Sequence, residues 1–550
     1  MDNFSVLIGG KAGYGIDRSS TILARLFNQL GYRIYVYRDY PSLIRGGHTF
    51  SIIRASKKRI YTHANRVDFI LALNQDTYDL HKSKLNSNGI VIYDQGSVKA
   101  EGVAIPADRI LKEENAPELL RNTCVIGAFC KVAGIGWEML EKVIGQSVSR
   151  DLEINLKVAR RGYDEAKGSV KIEKVPQSPL PMLTGNEAVS LGLIKAGLKS
   201  YVAYPMTPSS TILHFMAENS EKFSLKVMHP ESEIGVIIMA LGFSYAGDKV
   251  AVGTSGGGFC LMTEGLSFAG MAELPVVIVL GQRPGPSTGL PTYSSQTELH
   301  FALNAGQGEF PRFVVAPGDA EESYYWSAVA MNLAWQFQVQ SIILTDKNVA
   351  EGGFNFDIDS VKEIKETGPV LWDVKNDYRR YLDTKSGVSP IAFPSNKEAI
   401  IKINSYEHDE AGITTEDPAI TKSMTEKRMR KAMALKNELE NYGTVNTYGN
   451  KDSATTVLCW GSNKGVCVEA SEKLGLRVVH PVVLSPFPLK KFGEALKGVK
   501  KLICVENNAT GQLLKLIRQY GFNAHVVVLK YDGRPFSLDE MEEELKKAVK

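Results

Sequence analysis

Short apolar runs alternate with amphipathic stretches along most of the chain. Residues 4–8 form the first apolar run, followed by the turn Gly9-Gly10-Lys11-Ala12-Gly13-Tyr14-Gly15-Ile16. A helical period over 19–30 leads to a second strand at 33–37, so the chain opens as strand, glycine loop, helix, strand. Apolar runs at 69–73 and 89–93 continue the pattern to about residue 166, which predicts an α/β domain over 1–168. Residues 169–182 carry prolines and no sustained period and read as a linker. The alternation restarts with a helix opened by Gly185-Asn186-Glu187-Ala188 and strands at 201–204, 250–254, 276–280, 313–316 and 341–345. Continuous apolar strands separated by helices imply a parallel sheet covered on both faces, here a domain over 183–352. Residues 353–450 are more polar and irregular and close with a charged helical stretch near 423–442, an extension and bridge. A final α/β domain is expected over 451–550, with strands at 455–460, 502–506 and 524–529 and a charged helix at 538–549.

Composition narrows the class. A chain of 550 residues exceeds what one core sustains, so several domains are expected. With 44% hydrophobic and 23% charged residues it is ordinary for a globular protein, and no run approaches the roughly 18 apolar residues of a membrane span. The formal net charge of +3 leaves no nucleic-acid footprint. The start, Met1-Asp2-Asn3-Phe4, runs directly into a strand pattern, which reads as cytoplasmic. Six cysteines, Cys124, Cys130, Cys260, Cys459, Cys467 and Cys504, are scattered without the clustering that iron–sulfur or zinc sites need, so no metal site is expected on this chain.

Candidate chemistry collects in the middle domain. Tyr204-Pro205-Met206-Thr207-Pro208 follows an apolar strand and sets a hydroxyl at a strand's carboxyl end, where open α/β sheets bind ligands. Pro230-Glu231-Ser232-Glu233-Ile234-Gly235 brings two acids to the start of a small-residue helix. Thr254-Ser255-Gly256-Gly257-Gly258 is a glycine turn, and the loop from Gly281 to Thr292 contains Arg283. Each has a plainer reading: Thr207 as a helix cap, Glu233 as a first-turn surface carboxylate, Arg283 as a solvent-paired loop residue. In the first domain the glycines at 10, 13 and 15 are spaced G-x-x-G-x-G. The pyrophosphate fingerprint is G-x-G-x-x-G, although Asp39 could supply its acid. A bound dinucleotide, a turn for close helix–strand contact and another phosphate-bearing ligand therefore all stay open. The loop Arg45-Gly46-Gly47-His48 could hold an anion or be a surface β-turn.

Taken together and in this order, these strings resemble the α subunit of the 2-oxoacid:ferredoxin oxidoreductases, with a γ-type domain fused in front, across nearly the whole chain except 353–450. The resemblance implies a thiamine-diphosphate fold of the pyrimidine-binding side at 183–352 and a transketolase-C-like domain at the end. It implies oxidative decarboxylation of a 2-oxoacid, 2-oxoglutarate or pyruvate, with coenzyme A to acyl-CoA, carbon dioxide and reduced ferredoxin. In that family Glu233, favoured over Glu231, would contact the pyrimidine ring of thiamine diphosphate beside Pro205. Thr207 and Arg283 would hold the substrate, and Gly13, Gly15 and Arg45 would handle coenzyme A. No Gly-Asp-Gly loop for diphosphate and Mg2+ occurs in the right context; Asp532-Gly533 stands in Tyr-Asp-Gly-Arg-Pro. A β subunit carrying Mg2+ and a [4Fe-4S] cluster, in an αβ or (αβ)2 assembly, is therefore implied, with ferredoxin as acceptor. Three other readings remain: an aryl-pyruvate (indolepyruvate-type) enzyme, an NAD-dependent dehydrogenase built on the first glycine turn, and a non-catalytic scaffold.

Overall fold

The alternating runs become strands of three sheets, of eight, seven and five strands, in a computed structural model that describes residues 1–42, 46–148 and 150–550. The chain gathers into two compact units. One comprises 1–183, 351–357 and 536–544; the other comprises 184–350, 358–535 and 545–550.

In the first unit the leading strands are β1 (Asn3–Lys11), β2 (Arg33–Asp39), β3 (His48–Ser56), β4 (Val67–Ala72), β5 (Leu85–Asp94), β6 (Val103–Ile105) and β7 (Met182–Thr184). Their spatial order is β6-β5-β4-β1-β3-β2, completed by the strand Gly353–Asn355 and β7. β1 runs parallel to β4 but antiparallel to β3, and β2 pairs antiparallel with β3. The second strand is thus not the parallel neighbour of the first, as a dinucleotide-binding βαβ unit requires. The period of 33–37 was legible; β3 was not, because its polar positions break the alternation. The helix Ile16–Gln29 starts from Gly15 in the left-handed region (φ 68°), and its buried Leu23, Leu26 and Phe27 cover the sheet.

The second unit is built on β8 (Ser200–Ala203), β9 (Lys226–Met228), β10 (Val250–Ser255), β11 (Val276–Gln282), β12 (Arg312–Val315) and β13 (Gln340–Asp346). These run parallel in the order β12-β13-β11-β10-β8-β9. All residues of β10, β11 and β13 are buried, as expected for strands covered on both faces. The chain passes from β8 out to β9 and returns to β10 on the other side of β8, a reversal that opens a crevice at the carboxyl ends of β8 and β10. The strand Val483–Ser485, from the last α/β layer, pairs antiparallel with β12 and closes that edge. That layer has its own sheet, ordered Val445–Gly449, Arg477–Pro481, Thr455–Leu458, Lys501–Glu506, Val526–Leu529. Among the described residues no helix is long and apolar enough to cross a membrane.

The polar extension is tied down by buried charge. Lys427 and Lys431, on the helix Pro418–Glu438, both bind the carboxylate of buried Glu273, with Lys427 Nζ at 2.7 Å and 3.0 Å from its two oxygens. The Arg380 guanidinium donates to the carbonyls of Ala272 and Glu273. Burial alone would push the Glu273 carboxyl up, but the two ammonium groups and Arg380 hold it well below the usual range. Its stabilisation is therefore present above the ordinary carboxylate range and is lost only as the pH falls through the lowered value. Glu273→Gln, which strands two buried cations, is expected to cost about 3–5 kcal/mol in denaturant unfolding. Adding Lys427→Met and Lys431→Met should restore most of that stability.

Candidate active site

Four chain segments meet at the carboxyl ends of the central strands of the second unit. The loop after β8 carries Pro205 and Thr207 and is pinned from both sides. Asn186 Nδ2 donates to the carbonyl of Pro208 at 2.7 Å, and Ser209 Oγ donates to that of Met206 at 2.8 Å. A Cβ on Gly281, at the end of β11, would lie 2.9 Å from the Pro208 ring, so only glycine lets loop and strand meet. The helix after Thr207 begins at Ser210 with Ser209 as its cap residue, so Thr207 is not the cap. Pro205 is exposed and Thr207 half-buried.

Glu233 is the first residue of the helix Glu233–Ala246 and is only 4% exposed, whereas Glu231 stands in solvent. The two acids differ because the helix start turns position 233 towards the sheet. Gly258 admits it: a Cβ there would sit 2.8 Å from Glu233 Cγ and strike its Oε1 and Thr254 Oγ1. Oε1 of Glu233 is buried without a hydrogen-bond partner among the described residues. The glycines at 256–258 open the helix Gly256–Met271 at this point.

Arg283 leaves the end of β11 and is 7% exposed. Its Nη1 donates to the Thr207 carbonyl at 3.0 Å, and its Nε is buried without a partner. Burial draws this guanidinium below its usual value, opposed by the charges of Glu298 and Glu233. Glu298 was not singled out from the sequence. It is buried, with Oε1 accepting from Thr297 Oγ1 at 2.9 Å and Oε2 unpartnered. Its backbone N–H donates to Gln282 Oε1 at 3.1 Å. Burial pushes its carboxyl up to about 7, opposed by the Thr297 hydrogen bonds and Arg283. Asp346, closing β13, is buried, accepts from the backbone N–H of Asn348 at 2.9 Å and is likewise pushed up by burial. The only signal for these two was a polar residue directly after an apolar strand or loop, which is too common to single them out.

The last α/β layer holds the loop between Arg283 and Glu298. Ser294 N–H donates to the Gly533 carbonyl at 3.0 Å, Gln296 N–H to that of Asn507 at 2.8 Å, and Gln296 Nε2 to that of Trp460 at 2.8 Å. Asn463 Nδ2 donates to Gln296 Oε1 at 2.7 Å, and the Arg534 guanidinium stacks 3.7 Å from the Tyr293 ring centroid. Arg283 is thereby presented on a fixed frame.

In the first unit the glycine turn and the Gly46-Gly47-His48 loop lie side by side. Lys11 pairs with His48, and Ala12 N–H donates to the Gly47 carbonyl at 3.2 Å. Gly13 and Gly15 both have positive φ, 97° and 68°, and Asn122 Nδ2 donates to the Tyr14 carbonyl. Arg45 lies outside the described residues. His48 is half-buried, its Nε2 2.9 Å from His81 Nε2. Asp39 is buried and accepts from the Tyr37 hydroxyl.

A Glu233 carboxyl with one buried, unpartnered oxygen, in a cradle that Gly258 keeps clear, suits a ring nitrogen of a flat heterocycle. The pyrimidine of thiamine diphosphate meets that description, and the residues present fit it. The family described as the thiamine-diphosphate-binding domain of pyruvate flavodoxin/ferredoxin oxidoreductases matches residues 191–427, and the pyruvate ferredoxin/flavodoxin oxidoreductase family matches residues 5–165. The chain is 30% identical to the α subunit of a 2-oxoacid:ferredoxin oxidoreductase of Saccharolobus solfataricus, over 99% of this chain and 98% of the relative. It is 31% identical to an α subunit of such an enzyme from Aeropyrum pernix, over 97% and 96%. A 2-oxoglutarate:ferredoxin oxidoreductase from Magnetococcus marinus, solved with 2-oxoglutarate, coenzyme A and succinyl-CoA bound, superposes with a TM-score of 0.90 at 29% identity, covering all of both chains.

Gly258→Ala is expected to displace Glu233 and cost about 1–3 kcal/mol of stability. Gly257→Ala, whose Cβ meets nothing nearer than 3.9 Å, should be neutral or stabilising by up to about 1 kcal/mol. Paired denaturant titrations of the two variants read the difference directly.

Proposed function

The chain belongs to the 2-oxoacid:ferredoxin oxidoreductase family, and on that premise we propose that Glu233, Thr207 and Arg283 form its half of the thiamine-diphosphate and substrate site. The enzyme carries out oxidative decarboxylation of a 2-oxoacid, 2-oxoglutarate or pyruvate, with coenzyme A, and passes the electrons to ferredoxin. Thiamine diphosphate, when bound, would supply a nucleophilic carbon for the ketone and a cationic ring to accept the electron pair left by carbon dioxide.

The observation that carries this assignment is the buried, unpartnered Oε1 of Glu233. The Glu233 carboxyl would hold a proton at Oε1 for a ring nitrogen of the bound pyrimidine. Glu231, in solvent two residues away, takes no part. Pro205, exposed in the loop that carries Thr207, would help hold the pyrimidine. The Arg283 guanidinium pairs with the 2-oxoacid carboxylate, and the Thr207 hydroxyl donates to the ketone oxygen. In the first unit, Gly13, Gly15 and Arg45 bind coenzyme A through backbone amides and a guanidinium.

The diphosphate, Mg2+ and the [4Fe-4S] cluster are assigned to a β subunit, because this chain has no Gly-Asp-Gly loop in the right context and its six cysteines are scattered. Ile234, Ile238, Met239 and Leu261 are exposed on the two helices that start at the site, an apolar face suited to that subunit. The αβ or (αβ)2 complex is placed in the cytoplasm.

Glu233→Gln in the assembled complex should leave assembly intact and slow proton exchange at the reactive carbon of bound thiamine diphosphate by about 10²–10⁴-fold. Glu231→Gln should change it little. Exchange followed by deuterium quench and NMR decides between them, and slow exchange in Glu231→Gln alone would move the acid upstream. Arg283→Lys, losing a charge-assisted bidentate contact, should raise KM for the 2-oxoacid about 10- to 150-fold in steady-state assays.

A further inference from the structure

Glu298 has no part in the assignments above, yet it is buried beside the residue given to the substrate carboxylate. We propose that Glu298 is a positioning residue that sets how much of the Arg283 charge is offered to the 2-oxoacid: as the neutral acid it leaves the guanidinium to the substrate, and as the carboxylate it competes for it.

Glu298 lies between elements that give it little alternative. Its backbone is fixed to Gln282 at the end of β11, one residue before Arg283. Gly256, the first residue of the helix Gly256–Met271, leaves room for it, since a Cβ there would sit 2.8 Å from Glu298 Oε1. Thr297 Oγ1 occupies Oε1, while Oε2 of Glu298 and Nε of Arg283 are both buried and unpartnered. The charged groups that bear on Glu298 are Arg283, from the loop after β11, and Asp346, from the end of β13. Glu233, on the helix Glu233–Ala246, bears on Arg283 in turn. Glu298 and Glu233 thus both bear on the Arg283 charge, while Lys347, buried beside Asp346, faces the Tyr293 ring of the same loop. With the Glu298 carboxyl pushed up to about 7, chiefly by burial, the net pull of Arg283 on an incoming anion changes near neutral pH. Coupling between two sites is reciprocal, so a bound 2-oxoacid should in turn hold Glu298 protonated.

The role of Glu298 rests on the assignment of Arg283 to the substrate carboxylate, and the test separates the two. The full chain, assembled with its partner subunit, is assayed for 2-oxoacid-dependent viologen reduction without coenzyme A. In the wild type, KM for the 2-oxoacid should rise roughly tenfold between about pH 6 and about pH 8.5, within the usual range of site-to-site coupling. Glu298→Gln, a permanently neutral isostere, should hold the low-pH KM throughout. Thr297→Val removes a hydrogen bond that favours the carboxylate, so its KM profile should keep its height and shift to higher pH. That second variant decides the matter if Glu298→Gln does not fold. A merely structural Glu298 would move KM or stability without altering the pH profile. A flat wild-type profile, or variants that keep the wild-type midpoint, overturns the role of Glu298. If Arg283→Lys leaves KM unchanged, the underlying substrate assignment falls instead.

Discussion

The site at the carboxyl end of the central sheet is arranged around one difficulty: Arg283 and the carboxyl groups of Glu233, Glu298 and Asp346 are all kept out of water. Burying ionisable groups is costly unless they are paired or neutralised. Here the pairing is deliberately incomplete. Oε1 of Glu233, Oε2 of Glu298 and Nε of Arg283 have no partner among the described residues. A site left in this state has binding capacity in reserve, and a heterocycle nitrogen and a carboxylate are the groups that complete it.

The surrounding fold keeps these groups from relaxing. Glycines at 256, 258 and 281 let helices and loops approach the strand ends more closely than any side chain would permit. The last α/β layer grips the loop from 284 to 297 through backbone hydrogen bonds at Ser294 and Gln296, so Arg283 and Glu298 sit at the two ends of a clamped segment. At the far end of the helix Gly256–Met271, the Glu273 cluster fixes the polar extension. The same helix therefore links the site to the part of the chain whose sequence is least regular.

Much of this was legible before the structure, for identifiable reasons. Five strands of the central sheet, β8 and β10 to β13, are buried along their length, so their apolar runs gave their positions to within about two residues; the partly exposed edge strand β9 has no such run. The Pro205–Thr207 loop and the contrast between Glu231 and Glu233 could be posed because proline and a helix start restrict the backbone locally. Other features have no local signal. β3 is half polar, Gly353–Asn355 joins the first unit's sheet from far along the chain, and Val483–Ser485 becomes an edge strand of a sheet begun near residue 200. Glu298 and Asp346 matter only because distant elements close over them, and Lys427 and Lys431 read as a solvated helix face until Glu273 is placed between them. The strand–helix–strand start around the glycine turn at 9–16 was legible, but not that β3 comes to lie between the two strands, antiparallel to both.

The strand Val483–Ser485 also imposes an order on synthesis. Ser485 lies 173 residues beyond Arg312, its neighbour on β12. Translation at about 5–20 residues per second leaves the β12 edge uncovered for roughly 9–35 seconds after it emerges. During that interval the nascent chain presents an open row of backbone donors and acceptors beside the apolar residues Phe313, Val314 and Val315, an arrangement prone to capture by another strand. Sealing of the β12 edge is therefore among the last events of this unit's assembly, set by where Val483–Ser485 falls in the chain.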